Sequence, residues 1–499
     1  MTTPQAPDAS APDAGALARL AQAARRELEL IGETGADWVL PADGTDHNVV
    51  VIGAGQSGLS IALGLRRAGI GRVSVVDAAP RGEEGVWRGP ARMSVLRTPK
   101  VPPGPELGLP GLSFQAWYEA AYGTKAYSAL PQVPRAAWAD YVDWFRTAAA
   151  IEVRNDVRLV RVEPQEGRLR LHFSEGDRRF TETTRKLVLA TGIAGSGGPL
   201  VPSVIRDGLP AHLHAHTHAF DPAALTGRRV AILGSAASAF DAAGALLEAG
   251  AREVHLFSRG EDLARGSAMK PFGFFGAWEH FHALPDADRW QVMRHFRRRA
   301  SFPPLPAVRR AVAFPNFRLH LGAGWRTATA LGEGVRITTV PGDVHDVDFV
   351  VAGTGYLADP RLTPAFADFA PSIARWADRV EVADGEDEAL AAAPYLGSGF
   401  ELVEREAGTA PFLGNIHFLA FSAMTSTGRP VGDIASLRHN VPRLVSAIGR
   451  DLFVKDRALH LARFLAPVTE DLPREAYADA IVEGPARAIA PIEAEAAAG

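Results

Sequence analysis

Apolar residues along this chain fall into short uninterrupted runs bounded by glycine, with longer stretches between them in which small and apolar positions recur at helical spacing. Val49–Ile52 is one such run. It leads into Gly53-Ala54-Gly55-Gln56-Ser57-Gly58, then a small-residue stretch, then a second run, Val73–Val76, closed by Asp77. A four-residue apolar run stopped by glycine predicts a buried strand, and the stretch after it predicts a helix, so the order is that of a βαβ unit. The order recurs at Val230–Leu233, Gly234-Ser235-Ala236-Ala237-Ser238-Ala239 and Val254–Phe257. Two more apolar strands, Leu187–Ala190 and Phe349–Ala352, run into Thr191-Gly192 and, one glycine later, Thr354-Gly355, and they bracket the second unit. Strands alternating with helices in this way predict an α/β fold with parallel sheets.

Outside these units the pattern changes. Leu17, Leu20, Ala24, Leu28 and Ile31 recur at helical spacing and predict an amphipathic packing helix between Ala16 and Ile31. Residues 1–14 and the tail after about Pro491 have little to bury and are expected to be disordered. The stretch 265–306 carries Phe272, Phe274, Phe275, Trp278, Phe281, Trp290 and Phe296, and is expected to be a helical insertion serving as core or lid. Arg294, Arg297, Arg298 and Arg299 in it read first as a solvated face and second as a receptor for an acidic group. His212, His214, His216 and His218 alternate, which puts four imidazoles on one face of an extended segment. No acidic residue or cysteine stands at ligand spacing within the run, so no metal is expected there.

Composition narrows the function classes. A net charge of −4 leaves no global basic footprint, which argues against nucleic acid as a partner. No stretch is apolar enough to span a bilayer and no charged-then-apolar leader pattern opens the chain, so a cytoplasmic enzyme is expected, with a homo-oligomer compatible. The chain has no cysteine, and disulfide exchange through a cysteine pair is therefore excluded.

The glycine turns carry the candidate chemistry. Gly53 permits a sharp turn, Gly55 lets a pyrophosphate approach the backbone, and Gly58 lets the helix pack close to the strand, with Gln56 and Ser57 between them at the helix start. Asp77 is placed to accept from a ribose hydroxyl pair. In the second unit only Gly234 of the three glycines remains, so Ser235, Ala236 and Ser238 would have to line the loop. The strand that follows ends in Ser258 and Arg259 rather than an acid, which suits a 2′-phosphate and favours NADPH over NADH.

Ala352-Gly353-Thr354-Gly355-Tyr356 resembles the Ala-Thr-Gly-Tyr of class B flavin monooxygenases. Gly428-Arg429-Pro430-Val431-Gly432-Asp433 resembles the Gly-Asp step of the same superfamily. Gly85-Val86-Trp87-Arg88, followed by Leu96-Arg97-Thr98-Pro99-Lys100, is similar to the Gly-Gly-x-Trp and Thr-Asn-x-x-Lys segments of flavin-containing and Baeyer–Villiger monooxygenases, with Arg97 in place of the asparagine. His216-Thr217-His218-Ala219-Phe220 resembles the family's linker fingerprint, although Pro210 and His212 replace its phenylalanine and glycine. The resemblance implies two Rossmann-like dinucleotide-binding domains, the NADPH domain (206–341, with the insertion 265–306) set into a discontinuous FAD domain (45–205 and 342–450). An N-terminal segment (1–44) and C-terminal helices with a tail (451–499) complete the layout. It further implies FAD and NADPH as cofactors. Trp87, Arg97 and Thr98 would stand beside the flavin where oxygen reacts; Thr191, Gly192, Thr354 and Gly355 would line the crossovers; Gly432 and Asp433 would meet the ribityl chain.

The expected activity is insertion of one oxygen atom of O2 into a small ketone, amine or amino-acid nitrogen through a C4a-(hydro)peroxyflavin. Two alternatives stay open: an NADPH-dependent flavoprotein reductase without a stabilised oxygen adduct, and a catalytically idle nucleotide-binding module.

Overall fold

The computed structural model describes residues 11–32, 37–42, 44–299, 301–382, 385–468, 470–482 and 484. The chain divides into two compact units, Met1–Leu452 and Phe453–Gly499. Within the second, the helix Arg457–Phe464 follows Phe453, whose ring stacks on His460 at 5.0 Å. The disorder expected for residues 1–14 and for the tail after Pro491 falls largely outside the described residues.

Two sheets organise the large unit. The first is built from β1 (His47–Ile52), β2 (Val73–Val76), β3 (Arg158–Gln165), β4 (Arg168–Glu175), β5 (Arg178–Leu189) and β14 (Ile416–Phe418), in the order β2-β1-β5-β4-β3, with β14 also on β5. β1 pairs in parallel with β2 (Val51 opposite Val75) and with β5 (Val51 opposite Val188). β5 serves two purposes. Its exposed first half is antiparallel to β4, and its buried second half is parallel to β1 and β14. The second sheet, β6-β13-β7-β8-β9, is parallel throughout and comprises β6 (His214–His216), β7 (Arg229–Leu233), β8 (Glu253–Phe257), β9 (Phe317–His320) and β13 (Phe349–Ala352). A three-stranded antiparallel meander of β10 (Trp325–Leu331), β11 (Gly334–Thr339) and β12 (Val344–Val347) accompanies it.

The period-two alternation of strands explains how the second sheet is covered on both faces. Val230, Ile232, Val254, Leu256 and Val351 join one buried cluster with Ala242, Ala243 and Leu246 of the helix Ala237–Glu248. Ala231, Phe257, Val350 and Ala352 point the other way and meet Val335, Ile337 and Val347 of the meander. β13, counted by sequence with the segment after residue 342, is hydrogen-bonded between β6 and β7. The predicted N-terminal helix spans Ala14–Leu30 and packs through buried Ala24; Asp13 caps it by accepting from the Ala16 amide at 2.9 Å.

The aromatic insertion divides between core and surface. Phe281, Trp290 and Met293 are buried with Trp376 and Met424, whereas Phe274 and Phe275 are exposed. Trp376 anchors this cluster: its ring stacks on Trp290 at 5.9 Å and its indole N–H donates to Ser426 Oγ at 3.1 Å. Trp376→Ala is expected to cost about 3–5 kcal/mol by chemical denaturation, because a large fully buried ring leaves a cavity that its neighbours cannot fill. A loss under about 1 kcal/mol would show that the insertion does not depend on this anchor.

Candidate functional site

The first glycine turn is shaped by steric demand. Gly53 has φ +100°, and a Cβ there would stand 2.5 Å from the Ala190 carbonyl oxygen. A Cβ at Gly58 would stand 1.8 Å from the Gly53 carbonyl oxygen, so no other residue fits. The helix Gln56–Arg67 begins at Gly55 with no side chain capping it, which leaves first-turn N–H groups for an anion. Asp77 sits at the end of β2, where its oxygens accept from the Ala54 and Ala79 amides at 2.7 and 2.8 Å and keep further lone pairs.

Gln56 joins three distant segments. Its Nε2 donates to the Gly432 carbonyl at 2.7 Å, and its Oε1 accepts from the indoles of Trp87 (3.2 Å) and Trp138 (3.0 Å). Ser57 lies against the same turn, since a Cβ at Gly432 (φ +84°) would be 3.0 Å from its hydroxyl. Asp433 starts the helix Ile434–Lys455 and accepts from the Ser436 amide at 2.9 Å; burial pushes its carboxyl above the usual range. Thr98 and Leu96 line a cavity of about 210 Å³ together with Trp138, Glu106 and Ile434. Thr191 places a buried hydroxyl without a hydrogen-bond partner beside Gly192 at the end of β5. Uncapped helix amides, an orphan hydroxyl, left-handed glycines and a cavity bounded by indole are the features that a dinucleotide with a flat ring requires, and these residues suit FAD.

The second turn reaches the same shape with fewer glycines. Ala236 caps the helix Ala237–Glu248 at φ −87°, ψ −173°, beside −66°, −178° for Gly55, so an alanine adopts the conformation without strain. Gly234 retains φ +122°, and its Cβ would meet the Gly353 carbonyl oxygen at 2.2 Å. Close packing is supplied from the neighbouring strand, because a Cβ on Gly353 would lie 2.8 Å from that of Ala239. Ser235 Oγ meets Ser258 Oγ at 2.9 Å across the two strand ends, and Ser238 is half-buried in the first helical turn. Arg259 is exposed beyond Ser258. Arg297 of the insertion lies within electrostatic reach of it, and desolvation followed by the Arg259 charge lowers the Arg297 pKa. Asp387 opposes that shift.

Arg97 is not free. Its guanidinium pairs at 2.8 Å with Asp241, a carboxylate buried in the helix that follows the second turn. Burial raises the Asp241 carboxyl, and the charge of Arg97 opposes that shift. The crossovers are fastened by the histidine run. His216 accepts the His218 amide on Nδ1, so its Nε2–H donates to the Gly355 carbonyl at 2.9 Å, and burial pushes its pKa down to about 4. His218 meets the Tyr356 hydroxyl at 3.2 Å, and Thr354 Oγ1 donates to the Leu200 carbonyl.

Arg429 and His439 were not singled out from sequence, although Arg429 stands inside the Gly-Arg-Pro-Val-Gly-Asp stretch, and Trp278 was noted only as one aromatic of the insertion. The Arg429 guanidinium sits 3.8 Å over the Trp278 ring and donates to the Met269 carbonyl at 2.9 Å. Its Nε is buried with no acceptor, and burial lowers its pKa, with Asp433 opposing. Trp278 also stacks on His439 at 5.4 Å, and His439 Nδ1 contacts Glu279. The insertion thus closes directly over the Gly428–Asp433 turn.

Residues 47–272 match the family described as pyridine nucleotide-disulphide oxidoreductase. The FAD-dependent urate hydroxylase of Xanthomonas campestris pv. campestris is 39% identical over 456 residues, covering 90% of this chain and 96% of that protein. Among solved structures, the Pseudomonas aeruginosa ornithine hydroxylase superposes with a TM-score of 0.63 at 16% identity, over 81% of this chain and 99% of that one. The Kutzneria sp. 744 ornithine N-hydroxylase, solved with reduced FAD, NADP+ and L-ornithine, gives 0.61 at 18% identity, over 81% and 99%. At these identities the two hydroxylases establish the shared two-dinucleotide-domain fold. The relationship that runs through nearly the whole of both sequences goes further: the chain belongs to the family of the FAD-dependent urate hydroxylase and is an FAD-dependent oxidoreductase of the class B flavin monooxygenase type.

Proposed function

We propose that this protein is an NADPH-consuming hydroxylase of urate or a closely related oxopurine. The observation that carries the reading is Arg429, a half-buried cation whose Nε–H is buried and unused, lying on an indole beside the turn that approaches the flavin position. Such a group suits a planar ring with delocalised negative charge, and urate is one at neutral pH. An amine or amino-acid nitrogen would bring a cation or a proton donor to a site already cationic. The substrate in the relative's name agrees with this chemistry.

FAD, when bound, supplies hydride acceptance and dioxygen activation. The chain's own residues divide the remaining work. In this reading Gly53, Gly55, Gln56, Ser57 and Gly58 hold one pyrophosphate and Asp77 the adjoining ribose, with Thr191 and Gly192 beside it. Trp87, Trp138, Thr98, Gly432 and Asp433 wall the flavin and keep water from it. Gly234, Ser235, Ala236 and Ser238 hold the second pyrophosphate, and Arg259 with Arg297 takes the 2′-phosphate. Thr354 and Gly355, fastened to Leu200 and His216, set the crossover between the two sites. We assign Arg97 a positioning role: through Asp241 it couples the flavin-side segment to the helix of the second turn. The FAD domain then comprises 45–205 and 353–450, and the NADPH domain 206–352, so that β13 stays with its sheet.

Arg259→Ala is expected to raise KM for NADPH by about 10- to 100-fold, the worth of a charge-assisted contact, and to change KM for NADH by under about twofold. Equal effects on the two nucleotides would remove the 2′-phosphate assignment. Arg429→Met is expected to raise KM for urate by about tenfold or more while FAD content and the rate of flavin bleaching by NADPH stay near wild type. An unchanged KM would contradict the anchoring role, and loss of FAD would move Arg429 from substrate to cofactor.

A further inference from the structure

Away from both glycine turns, three histidines from three strands of two different sheets come together. His255 lies in β8, His320 ends β9 and His345 lies in β12, and each offers a ring nitrogen within 4.8 Å of the others. Separations of 65 and 25 residues hide this group from any reading of local spacing. We propose that His255, His320 and His345 form a binding site for one divalent transition ion of the zinc type.

The geometry favours ligation over a chance packing of rings. His255 Nδ1 faces His320 Nε2 at 3.0 Å. Two nitrogens at that separation, each about 2.05 Å from an ion, subtend about 95° at it, between octahedral and tetrahedral angles. The other nitrogen of His255 faces the Glu253 carboxylate at 3.5 Å. A carboxylate accepting from Nε2–H leaves Nδ1 as a bare lone pair turned toward the site, the arrangement in which an outer carboxylate orients a metal-bound imidazole. The ring of His345 stands 4.8 Å from that of His320 and 6.1 Å from that of His255, centroid to centroid.

The surroundings are compatible with a held cation. Phe257, fully buried, stacks on His320 at 4.4 Å and meets His345 edge-on at 5.1 Å, which gives the cluster an apolar floor. His320 stacks on His255 at 5.2 Å and meets His345 edge-on, so the three rings crowd one small space. Arg318 is the nearby cation, and its guanidinium is turned onto the Pro315 and Phe317 carbonyls. Asp343 supplies a nearby negative charge. An all-imidazole set in a chain without cysteine selects Zn2+, with Ni2+ and Cu2+ as competitors, over the softer ions that thiolates hold. The site also has a route to the second turn: the His320 carbonyl accepts the Ser258 amide at 2.8 Å, and Ser258 contacts Ser235. An ion there would brace the strand ends that carry Ser258 and Arg259.

The test uses tag-free, FAD-loaded protein stripped with a chelator and equilibrated by dialysis against Zn2+, with bound metal and flavin both quantified. Wild type is expected to take up one Zn2+ per chain and to melt at a higher temperature in its presence, since a ligand of the native state stabilises it. His345→Gln and His255→Gln are each expected to weaken uptake by about tenfold or more and to lose the thermal shift, with flavin content retained. His212→Gln, an exposed histidine elsewhere, should behave as wild type. Absence of tight uptake by wild type overturns the proposal without any variant. So does uptake by flavin-replete His345→Gln equal to that of His212→Gln, which would place the metal on surface histidines.

Discussion

One buried amide holds the candidate active site together. Gln56 spends both ends of its side chain on groups that are remote in sequence, the Gly432 carbonyl on one side and the indoles of Trp87 and Trp138 on the other. A buried amide left unpaired costs roughly 1–3 kcal/mol, so the three partners are required and not incidental. The consequence is geometric. Gln56 ties the first glycine turn, the tryptophan wall and the turn before Asp433 to one another, and Trp138, one of its partners, also lines the cavity with Leu96, Thr98 and Ile434. Rigid placement of this kind is what a flavin site needs in order to exclude water while a reactive oxygen species is in use.

The second turn shows that a glycine pattern is a means and not an end. Where the first repeat relies on Gly58 for close packing of helix on strand, the second keeps Ala239 and takes the missing space from Gly353 on the adjacent strand. Where the first uses Gly55, the second uses Ala236 in nearly the same extended conformation, which an alanine adopts freely. The two loops are therefore alike in form although their sequences agree poorly. The insertion then links the second sheet to the flavin side, with Trp290 stacked on Trp376 in its core and Trp278 against Arg429 at its rim.

Much of this was legible in the chain. Apolar runs located β1, β2, β7, β8 and β13, with glycine closing β1, β7 and β13, and the period-two alternation of β7 and β13 accounts for their two-sided burial. The glycine positions located both turns. What local pattern could not supply was pairing at a distance. The partner of Arg97 lies 144 residues away, so the sequence left its direction open, and the structure turns it toward Asp241. β13, counted by sequence with the segment after residue 342, pairs with β6 and β7, and an apolar strand carries no label for the sheet it joins. The alternating histidines drew attention to His212–His218, where the structure finds backbone and tyrosine partners, while the convergent trio sits on strands whose sequences give no hint of one another. Arg429 was in plain view between two glycines, but its meaning depends on Trp278 folding over it.

Oxygenation of a planar anionic ring at the expense of NADPH is the reaction proposed for this flavin site. The most direct measurement is turnover with urate and NADPH under 18O2, followed by mass analysis of the organic product and by counting nucleotide consumed. The expected result is one 18O atom in the product and one NADPH oxidised per molecule formed, with little hydrogen peroxide released. Urate recovered unlabelled, with NADPH consumed and its electrons delivered to peroxide or another acceptor, would contradict it and place the protein among the reductases.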